Sequence, residues 1–252
     1  MSGHSKWKTI QHKKGAADAK RGKIFSKMSK EIMVAARAGG SDVEQNATLR
    51  NIVQKAKSVN MPADNIDRAI KKGAGEMEGV TFEEVVYEGY AGGGVGLVVK
   101  ALTDNKNRAA SEIRHIFAKN NSSFASQGSV SRNFQRKGQI LVATTTTDED
   151  TLMDLVLEAG AEDMIVEGDN FEILTETETF HDVTAALEAA TIEMVSAEIT
   201  MLPLLESPVE DLAVARGVFR FVEMLEDNDD VQEVYMNMSV SDELMEEIAN
   251  EE

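Results

Sequence analysis

The spacing of apolar residues predicts helices over the first third of the chain. Between residues 16 and 38 the apolar side chains recur at steps of three and four, which is typical of a helix with one buried face: Ile24, Phe25, Met28, Ile32, Ala35 and Ala36. Gly39 provides a stop, and Ser41–Glu44 matches a capping box that would open a second helix ending near Asn60. Pro62 suits the first turn of a third helix. Three short amphipathic helices predict a compact bundle.

From Thr81 the pattern changes to short apolar runs separated by glycine-rich segments, which is typical of strands. We predict strands over 85–90 and 95–103, a helix over 107–120, a loop over 121–131, and a strand over 134–144 with a bulge at Gly138. Helix 149–159, strands 164–166 and 171–175, helix 180–190 and strand 197–202 follow. With the strand before them they have the βαββαβ order of a ferredoxin-like domain.

One helix and one strand remain after this domain. Ser207–Glu210 matches a second capping box, which would open a helix ending at Glu226, and 231–236 forms a last strand. Because the preceding β-β-α segment lacks about that much structure, we expect the chain to return and complete it. The predicted domains are 1–78, 79–132 plus 208–238, and 133–207, with an acidic tail over 239–252.

The predicted fold class is therefore α+β and multidomain. An N-terminal three-helix bundle is followed by two ferredoxin-like α/β domains, the first of them discontinuous.

The charge of the chain is unevenly distributed. The 252 residues carry a net charge of -18, which by itself argues against a nucleic-acid partner. Residues 1–75, however, carry +10, residues 76–140 carry +1, and residues 141–252 carry -29. The objection therefore applies only to the C-terminal part, and the basic end suggests a polyanion partner.

The basic end also contains the single tryptophan, in a polar segment where core packing is not expected. A lone charge run is usually a solvated helix face, but lysines beside an exposed Trp are suited to phosphates and to base stacking. The candidate nucleic-acid-binding residues here are His4, Lys6, Trp7, Lys8, His12, Lys13, Lys14, Lys20, Arg21, Lys23 and Lys27. Lys106, Arg108 and Arg114 form a second candidate set, although Asp104 and Asn105 beside them are equally explained by helix capping.

Other chemistry has little support in the sequence. Gly89–Gly96 lacks the Lys-Ser/Thr of a phosphate-binding loop, and Glu226–Asp230 lacks the glycine and register of a calcium loop. No histidine pair has metal-ligand spacing, and there is no cysteine. We predict a protein that is not an enzyme and needs no cofactor, metal or small-molecule substrate. Without a signal segment or an apolar run that could span a membrane, we expect a cytoplasmic location and no membrane partner.

Several short motifs together resemble the YebC/PmpR family: Gly3–Trp7, Asp18–Phe25, Asn65–Lys72, Tyr87–Tyr90, Leu102–Asn105, Ser196–Met201 and Asp230–Tyr235. One departure is Ala91 and Gly92 where the family usually has Gly-Pro after the tyrosine. The resemblance implies an N-terminal helical domain and two α/β domains. It also implies a cytoplasmic DNA-binding transcriptional regulator, whereas relatives that include the mitochondrial translational activator of cytochrome oxidase act on the ribosome.

Three functional hypotheses follow. The first is a DNA-binding transcriptional regulator, and the second is a ribosome-associated translation factor that binds rRNA through the same basic domain. The third is a protein-interaction adaptor, in which the acidic body binds a basic protein and the basic end docks within the chain. The sequence leaves DNA against rRNA, the target sequence and the oligomeric state open.

Overall fold

Three helices form the N-terminal part of the structure. The computed structural model describes residues 18–251, and its first helices are α1 (Asp18–Gly39), α2 (Ala47–Ser58) and α3 (Ala63–Gly73). Their apolar faces share one core, in which Ile32, Leu49 and Ala56 are completely buried. The 3.6-residue pattern therefore identified these helices and their buried faces.

The predicted capping box at Ser41–Glu44 is wrong. Helix α2 begins at Ala47, and the side chain of Asn46 caps it by accepting a hydrogen bond of 3.0 Å from the Leu49 amide. The same side chain donates to the carbonyl oxygens of Ala35 and Gly40, 2.9 Å away in each case. Asn46 thus caps one helix and holds the end of another, a tertiary role that local spacing does not reveal.

The first antiparallel sheet contains β1 (Glu83–Tyr90), β2 (Gly96–Thr103), β3 (Ser123–Ala125) and β9 (Val231–Met236) in the order β3-β1-β2-β9. Helices α4 (Lys106–Lys119) and α7 (Leu212–Glu226) pack on it, with Phe117 and Phe221 in edge-on contact. The short strand β3 lies inside the segment predicted to be a loop. The late strand β9 pairs with β2, so the chain does return to this sheet.

The second sheet contains β4 (Phe134–Ala143), β5 (Ala161–Glu167), β6 (Asn170–Thr175) and β7 (Met194–Pro203) in the order β5-β6-β4-β7. Helices α5 (Glu149–Glu158) and α6 (Phe180–Ala189) cover one face. This is the strand order of the ferredoxin-like split βαβ unit.

Gly138 is not a bulge, contrary to the prediction. It pairs in regular register with Thr175 and Ile199, and the irregularity in β4 lies between Leu141 and Val142. A Cβ atom at Gly138 would collide with the side chains of Thr175 and Phe180. The glycine is therefore needed for close packing of α6 on the sheet.

The crossing back to the first sheet is also built differently from the prediction. Ser207–Pro208 forms strand β8, which pairs in parallel with β10 (Met238–Ser239). The Ser207 amide donates to the Asn237 carbonyl oxygen, so it is not available for a helix cap. Helix α7 starts at Leu212 and is capped by Asp211. The C-terminal segment forms α8 (Asp242–Glu251), whose Met245 and Ile248 are buried in the first core.

The fold has the predicted class, with N-terminal helices followed by two antiparallel α/β units. The limits of the individual domains stay a prediction.

Candidate nucleic-acid interface

The orientation of α1 is set by its apolar face. Met28, Ile32 and Ala35 are buried against α2 and α3. Because a helix turns about 100° per residue, this packing fixes which side chains face outward. Lys23, Lys27 and Lys30 then lie together on one flank of the helix, at steps of four and three residues.

This lysine flank contacts the acidic loop that joins α7 to β9, which we define as Glu226–Asp230. Lys23 Nζ lies 2.5 Å from Asp227 Oδ1, and Lys27 Nζ donates to the Glu226 carbonyl oxygen at 2.5 Å. Lys30 Nζ donates to the Asp229 carbonyl oxygen at 2.8 Å. The carbonyl groups at the end of α7 carry the negative end of the helix dipole, which favours cations there. The basic flank of α1 is thus satisfied within the chain.

Asp230 is the most connected residue of this contact. Its carboxylate accepts hydrogen bonds from Lys30 Nζ at 2.9 Å, Arg108 Nη2 at 2.7 Å and Thr103 Oγ1 at 2.9 Å. Burial alone would raise the pKa of Asp230, but the hydrogen bonds from Arg108, Lys30 and Thr103 outweigh burial and hold that pKa below its usual range. The ionised carboxylate therefore joins α1 to the first sheet.

Two lysines at the junction have shifted pKa values of opposite sign. Burial lowers the pKa of Lys27, although Glu226 and Asp227 act against it. Burial would also lower the pKa of Lys55, but the Glu233 carboxylate, 3.0 Å away, and Glu31 raise it above its usual value. Both side chains bond residues of the first α/β unit and so join the N-terminal helices to it.

The second predicted set also has partners within the chain. Lys106 forms an exposed ion pair with Glu83, and Arg108 contacts Asp104 at 2.7 Å as well as Asp230. The Arg114 guanidinium lies 5.3 Å from the centroid of the Phe124 ring. Both interpretations of this set, capping and polyanion contact, stay open: Asn105 does cap α4, by accepting from the Arg108 amide.

Most of the first predicted set lies in the N-terminal arm, outside the described residues: His4, Lys6, Trp7, Lys8, His12, Lys13 and Lys14. Lys20 belongs to α1, but its side chain is also outside the description, and Arg21 is exposed on α1. The nucleic-acid role of both sets stays a prediction.

A groove between α1 and α3 was not predicted from the sequence. It has a volume of about 300 Å³, and its described lining combines two cations with hydroxyl and amide groups: Gly22, Phe25, Ser26, Ser29, Met33, Asn65, Arg68, Ala69 and Lys72. The signal was present in α3, where Asn65, Arg68 and Lys72 follow the i, i+3, i+7 spacing of one helical face. The apolar residues of α3 occupy the buried face of the helix.

Two further observations concern residues 18–251. Over this stretch, histidine and carboxylate side chains do not gather in any group of three or more that could hold a metal ion. Within the same range, no helix has both the length and the apolar character that crossing a bilayer requires.

Basic N-terminal helices joined to two antiparallel α/β units define a multidomain α+β protein with a cationic end. The chain belongs to the TACO1/YebC family: residues 5–76 match the TACO1/YebC N-terminal domain, and residues 82–238 match the TACO1/YebC second and third domain.

Relatives of similar length extend this result. A probable transcriptional regulatory protein of Desulforapulum autotrophicum is 52% identical over 97% of this chain and 98% of its own. A probable transcriptional regulatory protein of Desulfotalea psychrophila is 53% identical over 99% of this chain and 100% of its own. The crystal structure of a conserved hypothetical protein from Aquifex aeolicus superposes with a TM-score of 0.79 at 44% identity, covering 89% of this chain and 93% of that one.

Proposed function

We propose that this protein is a non-enzymatic regulator of gene expression that binds nucleic acid through its basic N-terminal helices. The names of its relatives, probable transcriptional regulatory proteins, support the regulatory part. The observation that carries the nucleic-acid part is the separation of charge, with +10 over residues 1–75 and -29 over residues 141–252. The helices α1–α3, which belong to the basic part of the chain, form a hydrophobic core of their own.

The separation of charge orients the protein as it approaches a nucleic acid. Cations on the helices and in the N-terminal arm neutralise phosphates and release counterions, which favours association. The carboxylates of the second α/β unit repel the same polyanion, so the helical end approaches first. The cytoplasm is the location that this proposal requires.

The direct experiment is a titration of the full chain with labelled duplex DNA and single-stranded RNA. If roughly six cations meet phosphates, affinity falls about a thousandfold between 50 and 200 mM salt. An absence of binding at the lower salt, or an affinity that does not change with salt, would contradict the proposal. A specific duplex that competes far better than random DNA favours the transcriptional form. Co-sedimentation with ribosomes, lost when Lys13, Lys14, Lys20, Arg21 and Lys23 become Ala, favours the translational form.

A second candidate is the adaptor, and the docking of Lys23, Lys27 and Lys30 on the acidic loop favours it. In this hypothesis the lysine flank holds α1 against the acidic loop of the same chain, and the acidic C-terminal part binds a basic protein. The adaptor predicts that the wild-type chain has no measurable affinity for either nucleic acid at about 150 mM salt, in the same titration.

A further inference from the structure

Two grooves flank α1, and their charges differ. The groove on the side of the acidic loop has a volume of about 490 Å³ and is lined by three cations and four carboxylates: Lys23, Lys30 and Arg108 against Asp104, Glu112, Asp229 and Asp230. Its cations already bond to Asp227, Asp230 and Asp104. This groove repels a polyanion, so the lysine flank is a poor place for phosphates.

The groove between α1 and α3 has the opposite character. Arg68 and Lys72 bring two positive charges, and none of its described lining residues is acidic. We infer that the α1–α3 groove seats the phosphodiester backbone of a nucleic-acid strand, with Arg68 and Lys72 binding the phosphates. This inference rests on the proposed function and assigns its binding surface, which lies beside the lysine flank and not on it.

The shape of the groove suits a chain of phosphates. The two helices touch at Gly73, where a Cβ atom would collide with the Met33 carbonyl oxygen, and they leave open space between Gly22 and Asn65. At Gly22 a Cβ atom would meet nothing within 4 Å, so a ligand can reach the backbone of α1 there.

The groups in the groove match the chemistry of a phosphodiester. The exposed Arg68 guanidinium presents a planar fork of donors that fits two phosphate oxygens, and the half-buried Lys72 supplies a point charge. The Ser26 hydroxyl and the Asn65 amide can donate to neighbouring oxygens. Asp64 and Asp67 lie on α3 but outside this lining.

A matched pair of double variants tests the inference. R68A/K72A removes the groove cations from α3. R37A/K57A removes one exposed Arg from α1 and one exposed Lys from α2, both outside the groove, so the two double variants change the net charge by the same amount. Binding of the full chain to fluorescein-labelled RNA and DNA strands of one sequence is followed by anisotropy between 50 and 200 mM salt. Circular dichroism checks that each variant is folded, and R68K/K72R tests whether charge alone restores binding.

For the groove variant we expect the salt slope to fall by about 1.4, which is two phosphate contacts at 0.7 each, and the affinity to fall on the order of tenfold at 100 mM salt. The control is expected to stay within about twofold, because its cations meet no phosphate. R68K/K72R should recover most of the affinity.

Equal losses in both double variants would mean that affinity follows net charge only, and this would overturn the groove assignment. Unchanged binding by R68A/K72A would also overturn it while leaving the proposed function standing. A wild-type chain that binds neither strand would instead overturn the proposed function and the groove together.

Discussion

Asp230 connects α1 to the first sheet, and replacing it with Asn is expected to weaken that connection measurably. Only 5% of the Asp230 side chain is exposed, and it accepts from Lys30, Arg108 and Thr103. Asparagine keeps the shape but offers one acceptor oxygen and an NH₂ group, which cannot accept from the remaining cation. Hydrogen bonds to a charged group contribute about 1.5–3 kcal/mol each. Because Arg108 is 45% exposed, its share is discounted, and we expect a loss of about 3 kcal/mol.

The assay is thermal unfolding followed by circular dichroism. For a chain of this size, a loss of about 3 kcal/mol corresponds to a fall in Tm of roughly 6–12 °C. The control is D229N, which removes the neighbouring, exposed carboxylate and should change stability by less than about 0.5 kcal/mol.

The pH dependence gives this prediction a second readout. Since the pKa of Asp230 is lowered in the folded protein, its contribution is fully present above the unfolded pKa of about 3.9. It is lost as the pH falls through the folded pKa. The difference in Tm between wild type and D230N should therefore be constant near neutral pH and shrink below about pH 4. Equal Tm values for D230N and D229N at neutral pH would refute the role of Asp230.

Three other substitutions test the packing and the loops. E88Q should destabilise the fold by about 2–4 kcal/mol and speed amide exchange at residues 128–131, because the Glu88 carboxylate accepts hydrogen bonds from the amides of that loop at 2.6–3.0 Å. Burial would raise the pKa of Glu88, but these hydrogen bonds lower it. The stabilisation by Glu88 is therefore lost only in acid. G138A should lower Tm and destabilise the fold by about 1–3 kcal/mol. The control is G217A, since Gly217 is a helical glycine with open space at its Cβ position. In the same measurement G217A should be neutral or stabilise the fold by up to about 1 kcal/mol. K23A should change the free energy of urea unfolding by less than about 1 kcal/mol, because Lys23 and Asp227 are 43% and 74% exposed; a larger loss would contradict the view that Lys30 and Asp230 hold this contact.

Much of the fold follows from the sequence because its helices and strands carry strong periodic patterns. The apolar face of α1 and the βαββαβ order of the second unit are examples, and both are present in the structure. The return of β9 to the first sheet could be anticipated by counting which unit lacked elements.

The errors have a common physical cause, since each concerns a residue whose role is tertiary. The side chain of Asn46 caps α2 and also hydrogen-bonds a carbonyl oxygen near the end of α1. Ser207 pairs with strand β10 and does not cap a helix. Gly138 is small because Phe180 packs over it. Local spacing contains no information about such distant partners.

The candidate interface illustrates the same limit. Lys23 and Lys27 crowd one segment of the sequence, which favours a polyanion site, but their partners Asp227 and Glu226 are about 200 residues away in sequence. Arg68 and Lys72 share α3 with Asp64 and Asp67, so the sequence alone shows no basic cluster there, although the fold places the two cations in a groove with no acidic lining among the described residues. Charge density along the chain located the basic end, and only the structure shows which cations are already paired.

The central claim is that nucleic acid binds the N-terminal helices, and hydrogen exchange of the full chain with and without an RNA or DNA strand tests it most directly. The account predicts slower exchange in α1 and α3 when the strand is added at about 100 mM salt, with unchanged exchange in β4–β7. Slower exchange confined to the acidic second unit, or no change anywhere at a concentration that saturates binding, would contradict it.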